Sequence, residues 1–217
     1  MKIKWLGHSA FLLEGSKRIL IDPFITDNPI ANVSEEDTKN IDYIALTHDH
    51  GDHMGDTEKI AKETGAKVIT IYEISLDLQA NGVDSLGMNI GGTAKLEGAS
   101  FSMSPAMHSS GKGNPTGFII EMDGEKVYHT GDTGLFATMS LIGEMYSPDV
   151  MLLPIDGLFN MDVRLAAKAV ELVKPKIAIP MHYNTWEPIK ADPNEFKKLA
   201  ERYAEIRILN PGDSTEI

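Results

Sequence analysis

The stretch Thr47-His48-Asp49-His50-Gly51-Asp52-His53 constrains this chain more than any other. It holds three of the seven histidines, with two carboxylates between them. It follows directly on Ile41-Asp42-Tyr43-Ile44-Ala45-Leu46, whose β-branched and aromatic content is that of a buried strand. Gly51 and its polar flanks read as a turn, and Met54 to Thr64 carries apolar residues at helical spacing. The cluster is therefore expected on a loop at the C-terminal end of a strand, where open α/β sheets place their chemistry. Neutral imidazoles and carboxylates are ligands for zinc, manganese or iron. His48 and His50, two apart in an extended loop, point the same way and can share one ion. Asp52 and His53, slightly further on, can hold a second.

The rest of the composition narrows the alternatives. A chain of 217 residues with 42% hydrophobic content supports one sizeable domain, 1–217, with its own core. A net charge of -12 repels a nucleic acid over most of the surface and leaves a small-molecule substrate as the expected partner. The absence of cysteine excludes disulfides, thiolate catalysis and Cys-ligated metal. No apolar run approaches the ~20 residues of a membrane span. Met1-Lys2-Ile3-Lys4-Trp5 starts in strand pattern without a signal-peptide core. These features predict a cytoplasmic protein away from the membrane. They are equally compatible with a monomer and a homo-oligomer.

Taken in order, Lys2–Leu6, Ala10–Glu14 and Arg18–Ile21 read as short strands, with His8 in the first turn. Pro23 biases Asp22 away from helix, so its carboxylate is expected at a strand end, bracing the histidine loop. Phe24 to Thr38 has no clean period and is expected to be a loop over the site. Lys67–Ile71 reads as a strand, Glu73–Ala80 as a helix and Thr93–Leu96 as a strand, and the alternation predicts an α/β sandwich. Ala99–Met107 is strand-like, and Gly117–Met122 with Lys126–His129 forms a hairpin through Asp123-Gly124. Phe136–Met145 and Met161–Val173 read as helices, Val150–Leu153 and Lys176–Ile179 as strands. Asp192 or Asn194 is expected to cap a last helix reaching Tyr203.

His108, Asp132 and His182 share one context, the exit of an apolar strand beside Gly or Pro. Together with the cluster they complete two ligand sets. His48, His50 and His108 would hold one ion, Asp52, His53 and His182 the other, and Asp132 would bridge them. Two ions so placed generate hydroxide at neutral pH. His129, next to the Thr130-Gly131-Asp132 turn, is expected to support it from behind. Tyr183 and Asn184 are placed either to donate to substrate or to pack.

Across essentially its whole length the chain resembles the metallo-β-lactamase superfamily. The residues that carry the resemblance are Asp22, the His48–His53 stretch, His108, Asp132 and His182. Gly7-His8-Ser9, Ile21-Asp22-Pro23-Phe24, Asn89-Ile90-Gly91-Gly92, His129-Thr130-Gly131-Asp132-Thr133-Gly134 and Pro180-Met181-His182-Tyr183-Asn184 make it most similar to a family of small metal-dependent hydrolases, itself similar to ascorbate-phosphate lactonases. The resemblance implies a four-layer αβ/βα sandwich with the metals at one edge between the sheets. It also implies two divalent ions, zinc first with manganese or iron as alternatives, and hydrolysis of a small ester, lactone or phosphoester. Asp52 would be both ligand and proton relay, and His8, Asp22, His129, Asn160 and Tyr183 would support the site or the substrate. Where this chain has Asp156 and Asn160, the family commonly has Gly and Thr. Three other readings are an RNA-processing nuclease, a flavo-diiron oxidoreductase and a non-catalytic metal-binding module. The first lacks an inserted RNA-binding arm here. The second would replace a cluster histidine with Glu and append a flavin domain. The third would be expected to lose ligands.

Overall fold

The computed structural model describes all of residues 1–217 and contains two seven-stranded sheets. The first half of the chain supplies β1 (Lys2–Gly7), β2 (Ala10–Glu14), β3 (Arg18–Ile21), β4 (Tyr43–Ala45), β5 (Lys67–Ile71) and β6 (Ser85–Met88). The second supplies β7 (Thr93–Leu96), β8 (Ala99–Pro105), β9 (Thr116–Met122), β10 (Glu125–His129), β11 (Val150–Pro154), β12 (Ile177–Met181) and β13 (Glu205–Ile206). The last strand, β14 (Ser214–Glu216), returns to pair with β1. Strand orders are β14-β1-β2-β3-β4-β5-β6 and β13-β12-β11-β10-β9-β8-β7.

The two sheets are built to one plan. In each, three antiparallel neighbour pairs give way to three parallel ones, at β3 in the first sheet and at β10 in the second. Strands β11 and β12 are buried along their whole length, which explains why Val150–Pro154 and Ile177–Met181 are apolar without alternation. Tyr43 meets Phe101 edge-on across the sheets, with ring centroids 5.5 Å apart, and a single cluster of 54 buried apolar residues draws on both sheets. The outer layers are helices: α1 (Gly51–Met54), α2 (Thr57–Thr64) and α3 (Tyr72–Ala80) in the first half, and α4 (Met139–Tyr146), α5 (Val163–Val173) and α6 (Pro193–Ala200) in the second. The architecture is the four-layer αβ/βα sandwich. No helix is long and apolar enough to cross a membrane.

Several local expectations are corrected. The helix expected from Met54 to Thr64 is broken into α1 and α2 at Gly55, which takes φ 40°. A Cβ there would lie 2.5 Å from the backbone of Pro23 and Phe24, so only glycine lets the chain pass. Of residues Phe24 to Thr38, Phe24 meets His8 edge-on with ring centroids 5.9 Å apart, but none lines the cavity at the histidine cluster. Asp56 ties the start of this segment down by accepting from the Ile25 and Thr26 backbone N–H groups and the Thr26 hydroxyl. Asn32 N–H donates to Leu6 O beside β1, and Glu35–Thr38 closes the segment as a 3₁₀ turn. The cap of α6 is Asp192, accepting from Asn194 N–H, and that helix ends at Ala200 rather than at Tyr203. Strands β6, β13 and β14 carry no sequence signal strong enough to predict them. They are short edge strands, with half-exposed faces and little apolar content.

Candidate metal centre

One edge of the sandwich collects the exits of strands from both sheets. His8 follows β1, Asp22 follows β3, the Thr47–His53 stretch follows β4, His108 follows β8, and Asp132 follows β10. Asp156 follows β11 and His182 follows β12. His8, Asp22 and His182 adopt positive φ (56°, 43° and 56°), a backbone region unfavourable to residues with a Cβ. Such strain at three converging exits is a signature of a functional site. Gly131 fixes the turn before Asp132. Its φ is 62°, and a Cβ there would lie 2.3 Å from Thr116 O.

His48 and His50 flank an extended step, and Asp52 and His53 lie on the single turn of α1. The structure brings the expected residues together in three overlapping sets whose ligand atoms lie within 4.8 Å of one another: His48, His50 and His108; His8, Asp52, His53 and His182; and His48, His53 and Asp132. Asp132 lies between the first two. Its Oδ1 is 3.2 Å from His53 Nε2, and its Oδ2 is 3.1 Å from His182 Nε2 and 3.6 Å from His108 Nε2. His53 Nε2, Asp132 Oδ1 and both ring nitrogens of His182 are buried without a completed hydrogen bond. Buried polar atoms are normally satisfied, so orphans pointed at one another call for a missing partner. The donors are imidazole nitrogens and carboxylate oxygens without thiolate, and this set fits divalent zinc, manganese or iron.

Behind these atoms stands a supporting layer. Asp22 accepts from Thr47 N–H and the Thr47 hydroxyl, and its Oδ2 lies 2.7 Å from His53 Nδ1. Asp156 Oδ2 lies 3.1 Å from His182 Nδ1. His8 Nδ1 is 2.8 Å from the Thr185 hydroxyl and Nε2 is 3.2 Å from Asp52 Oδ2. His129 is buried away from the ligand sets. Gly131 N–H donates to its Nδ1 and its Nε2 lies 3.0 Å from Ser9 O, so it is the neutral Nε2–H tautomer pinning the turn that aims Asp132. Asp49 accepts from the Ser110 hydroxyl and Gly111 N–H, tying the loop after His108 to the cluster.

The electrostatics divide the histidines. Burial, helped by His53, pushes His48 down to about 3, and burial with His182 pushes His8 down to about 4. Burial also lowers His108. Burial acts against charge on His53 and His182 too, but it is overridden. Asp132 and Asp22 hold His53 well above its ordinary range, and Asp132 with Asp156 raises His182 to about 9. The carboxylates respond in kind. Against the effect of burial, His182 and His53 hold Asp132 well below the usual range, and His8 and His53 hold Asp52 low.

Tyr183 takes the packing alternative and does not line the cavity. It is buried and stacked on Trp5 with centroids 5.6 Å apart, because a ring this large contributes more by packing than by standing in water. Burial raises its phenol to about 12. Asn160 lies one step behind His182, its amide donating to Asp156 Oδ2 at 2.9 Å. Thr47, Thr185 and Phe159 went unrecognised in the sequence. Thr47 borders the cluster and was detectable in principle. Thr185 reaches His8 across 177 residues, which local pattern cannot reveal. Phe159, 61% exposed, lines the cavity of about 290 Å³ together with His50, Asp52, His108, Ser109, Asp132 and His182.

Two mixed sheets with histidine- and aspartate-bearing exits at one edge define the metallo-β-lactamase fold. A family profile described as "Beta-lactamase superfamily domain" matches residues 17–183. A UPF0173 metal-dependent hydrolase of Staphylothermus marinus is 54% identical over 98% of this chain and 97% of its own length. One of Pyrococcus furiosus is 52% identical over 100% of both. Among solved structures, Igni18, a metallo hydrolase from Ignicoccus hospitalis, superposes with a TM-score of 0.94 at 47% identity, covering 100% of this chain and 98% of its own. The chain belongs to the β-lactamase superfamily and, within it, to the UPF0173 metal-dependent hydrolases.

Proposed function

We propose that the protein hydrolyses a small, uncharged ester or lactone in the cytoplasm, as a single domain spanning 1–217 with two divalent ions, zinc first, at this edge. The observation that carries the reading is the convergence of imidazole nitrogens and carboxylate oxygens from five strand exits, with those of His53, Asp132 and His182 buried and without a completed hydrogen bond. His48, His50 and His108 would hold one ion, Asp52, His53 and His182 the other, and Asp132 would touch both. Ions so held supply hydroxide at neutral pH and draw electron density from the scissile carbonyl or phosphoryl group.

The remaining work falls to the chain itself. His8 is neutral, so its Nε2–H donates to Asp52 while Nδ1 accepts from Thr185. It orients Asp52 rather than competing for an ion. Asp52 is 29% exposed, lines the cavity, and is the group placed to carry a proton from the attacking water to the leaving group. Asp22 and His129 fix His53 and the Asp132 turn.

No Lys or Arg lines the cavity, whereas Phe159 does. A phosphomonoester would have no cationic side chain to meet its second negative charge, which favours an uncharged acyl substrate over the phosphoester. The same lining and a net charge of -12 weigh against RNA. The test is a panel of aryl esters, lactones, phosphomonoesters, phosphodiesters and RNA on protein of measured metal content. Turnover of esters or lactones is expected to exceed that of the rest. A fully loaded protein that turns over nothing would instead be a metal-binding module.

A further inference from the structure

Asp156 and Asn160, the two departures from the pattern this chain resembles, touch each other and His182. Asp156 Oδ1 accepts from the backbone N–H groups of Leu158, Phe159 and Asn160 at 2.9, 2.8 and 3.3 Å. Its Oδ2 accepts from Asn160 Nδ2 at 2.9 Å and lies 3.1 Å from His182 Nδ1. The carboxylate is thus fixed by four hydrogen bonds, with one oxygen committed to the loop and the other held by Asn160 and turned toward the imidazole. The arrangement resembles that of Asp22, which follows β3 in the other sheet, is held by Thr47, and faces His53 Nδ1.

We propose that Asp156, locked by Asn160, is a positioning residue: it keeps the His182 proton on Nδ1 and so leaves Nε2 free to bind an ion. This rests on the dinuclear reading above. The same carboxylate holds the backbone of Phe159, the apolar face of the cavity, so one side chain sets the second ion's ligand and the adjoining substrate wall.

The isosteric variant Asp156→Asn isolates the role. Three loop N–H groups require an oxygen at the Oδ1 position, so the new amide NH₂ must face His182 Nδ1. It donates to that nitrogen and drives the ring proton onto Nε2, the wrong tautomer for binding. The three loop N–H bonds would be preserved by this substitution, with the Asn160 amide flipped so that its Oδ1 accepts from the new NH₂.

Zinc affinity of the full chain is measured by chelator competition. The wild type is expected to bind two ions. In Asp156→Asn one of them is expected to weaken about 10–100-fold, the usual effect of losing a partner behind a ligand, while the other is unchanged. Asn160→Ala is expected to weaken the same ion by less. Wild-type affinity for both ions in Asp156→Asn overturns the proposal. A wild type that binds fewer than two ions overturns the dinuclear reading and this proposal with it, a distinguishable result. Should Asp156→Asn not fold, nitrogen-correlated proton NMR of the zinc-loaded wild type decides. A slowly exchanging His182 Nδ1 proton is expected, and its absence overturns the proposal.

Discussion

The His48–His50–His108 set and the Asp52–His53–His182 set lie side by side but differ in what stands behind them. In the first, the rings meet one another: His48 Nε2 is 3.0 Å from His50 Nδ1, and His48 Nδ1 lies 3.0 Å from the Thr47 hydroxyl. Burial keeps His48 and His108 neutral, so their lone pairs are available without displacing a proton. In the second, carboxylates lie on both sides of the rings. Asp22 and Asp132 flank His53, and Asp156 and Asp132 flank His182. Without an ion those rings carry protons; with one, the cation replaces them. The same residue types at adjacent sites therefore differ in the protons an entering ion would have to displace.

Removing what the two sets share should have the largest effect. On the dinuclear reading Asp132→Ala would leave two cations close together without the carboxylate between them, and turnover is expected to be nearly abolished. Metal content and rate measured together check this. His129→Ala removes the acceptor for Gly131 N–H without touching either set. It is expected to lower activity by ~10–100-fold, with the fold retained by circular dichroism. A dead His129 variant at full metal occupancy, beside an active Asp132 variant, would invert the assignment.

Phe159→Ala should act on substrate rather than metal. Its ring lines the cavity but offers no ligand atom. The expectation is a raised KM for esters with apolar acyl groups, unchanged metal stoichiometry and little change in kcat.

The smallest effect is on the stability of the metal-free protein, and its sign follows from the two sets. His48 and His8 have folded values of about 3 and about 4, below the ordinary value of about 6.5. Between those limits the unfolded chain binds more protons, so stability falls on acidification. His182 titrates at about 9 when folded, so the stability it contributes is complete below about 6.5 and is lost as pH rises through 9. A thermal-melt series should therefore peak near neutral pH and decline on both sides.

The ligand candidates were legible because each sits on a local signal: a dense cluster after an apolar strand, or a lone His or Asp beside Gly or Pro at a strand exit. The layer order was not legible. It depends on which strands pair, and β14 reaches β1 from the far end of the chain. The supporting contacts were partly legible. Asp22 was marked by Pro23, but Thr185 at His8 and the Asp156–His182 contact join distant segments. Which of its two roles Tyr183 takes was not legible from proximity in sequence. Next to a strand-exit ligand, the backbone turn at His182, φ 56°, decides where the following ring goes, and here it stacks on Trp5.

The most direct measurement of the difference between the sets is calorimetric zinc titration of metal-free protein at pH 6 and pH 9, in buffers of different ionisation enthalpy, with elemental analysis of the product. Two ions per chain are predicted at pH 9. At pH 6 the ion on the Asp52–His53–His182 set should bind more weakly than the other and release more protons as it enters. A single ion per chain at pH 9, or two ions with equal proton release at both pH values, would contradict this difference between the sets.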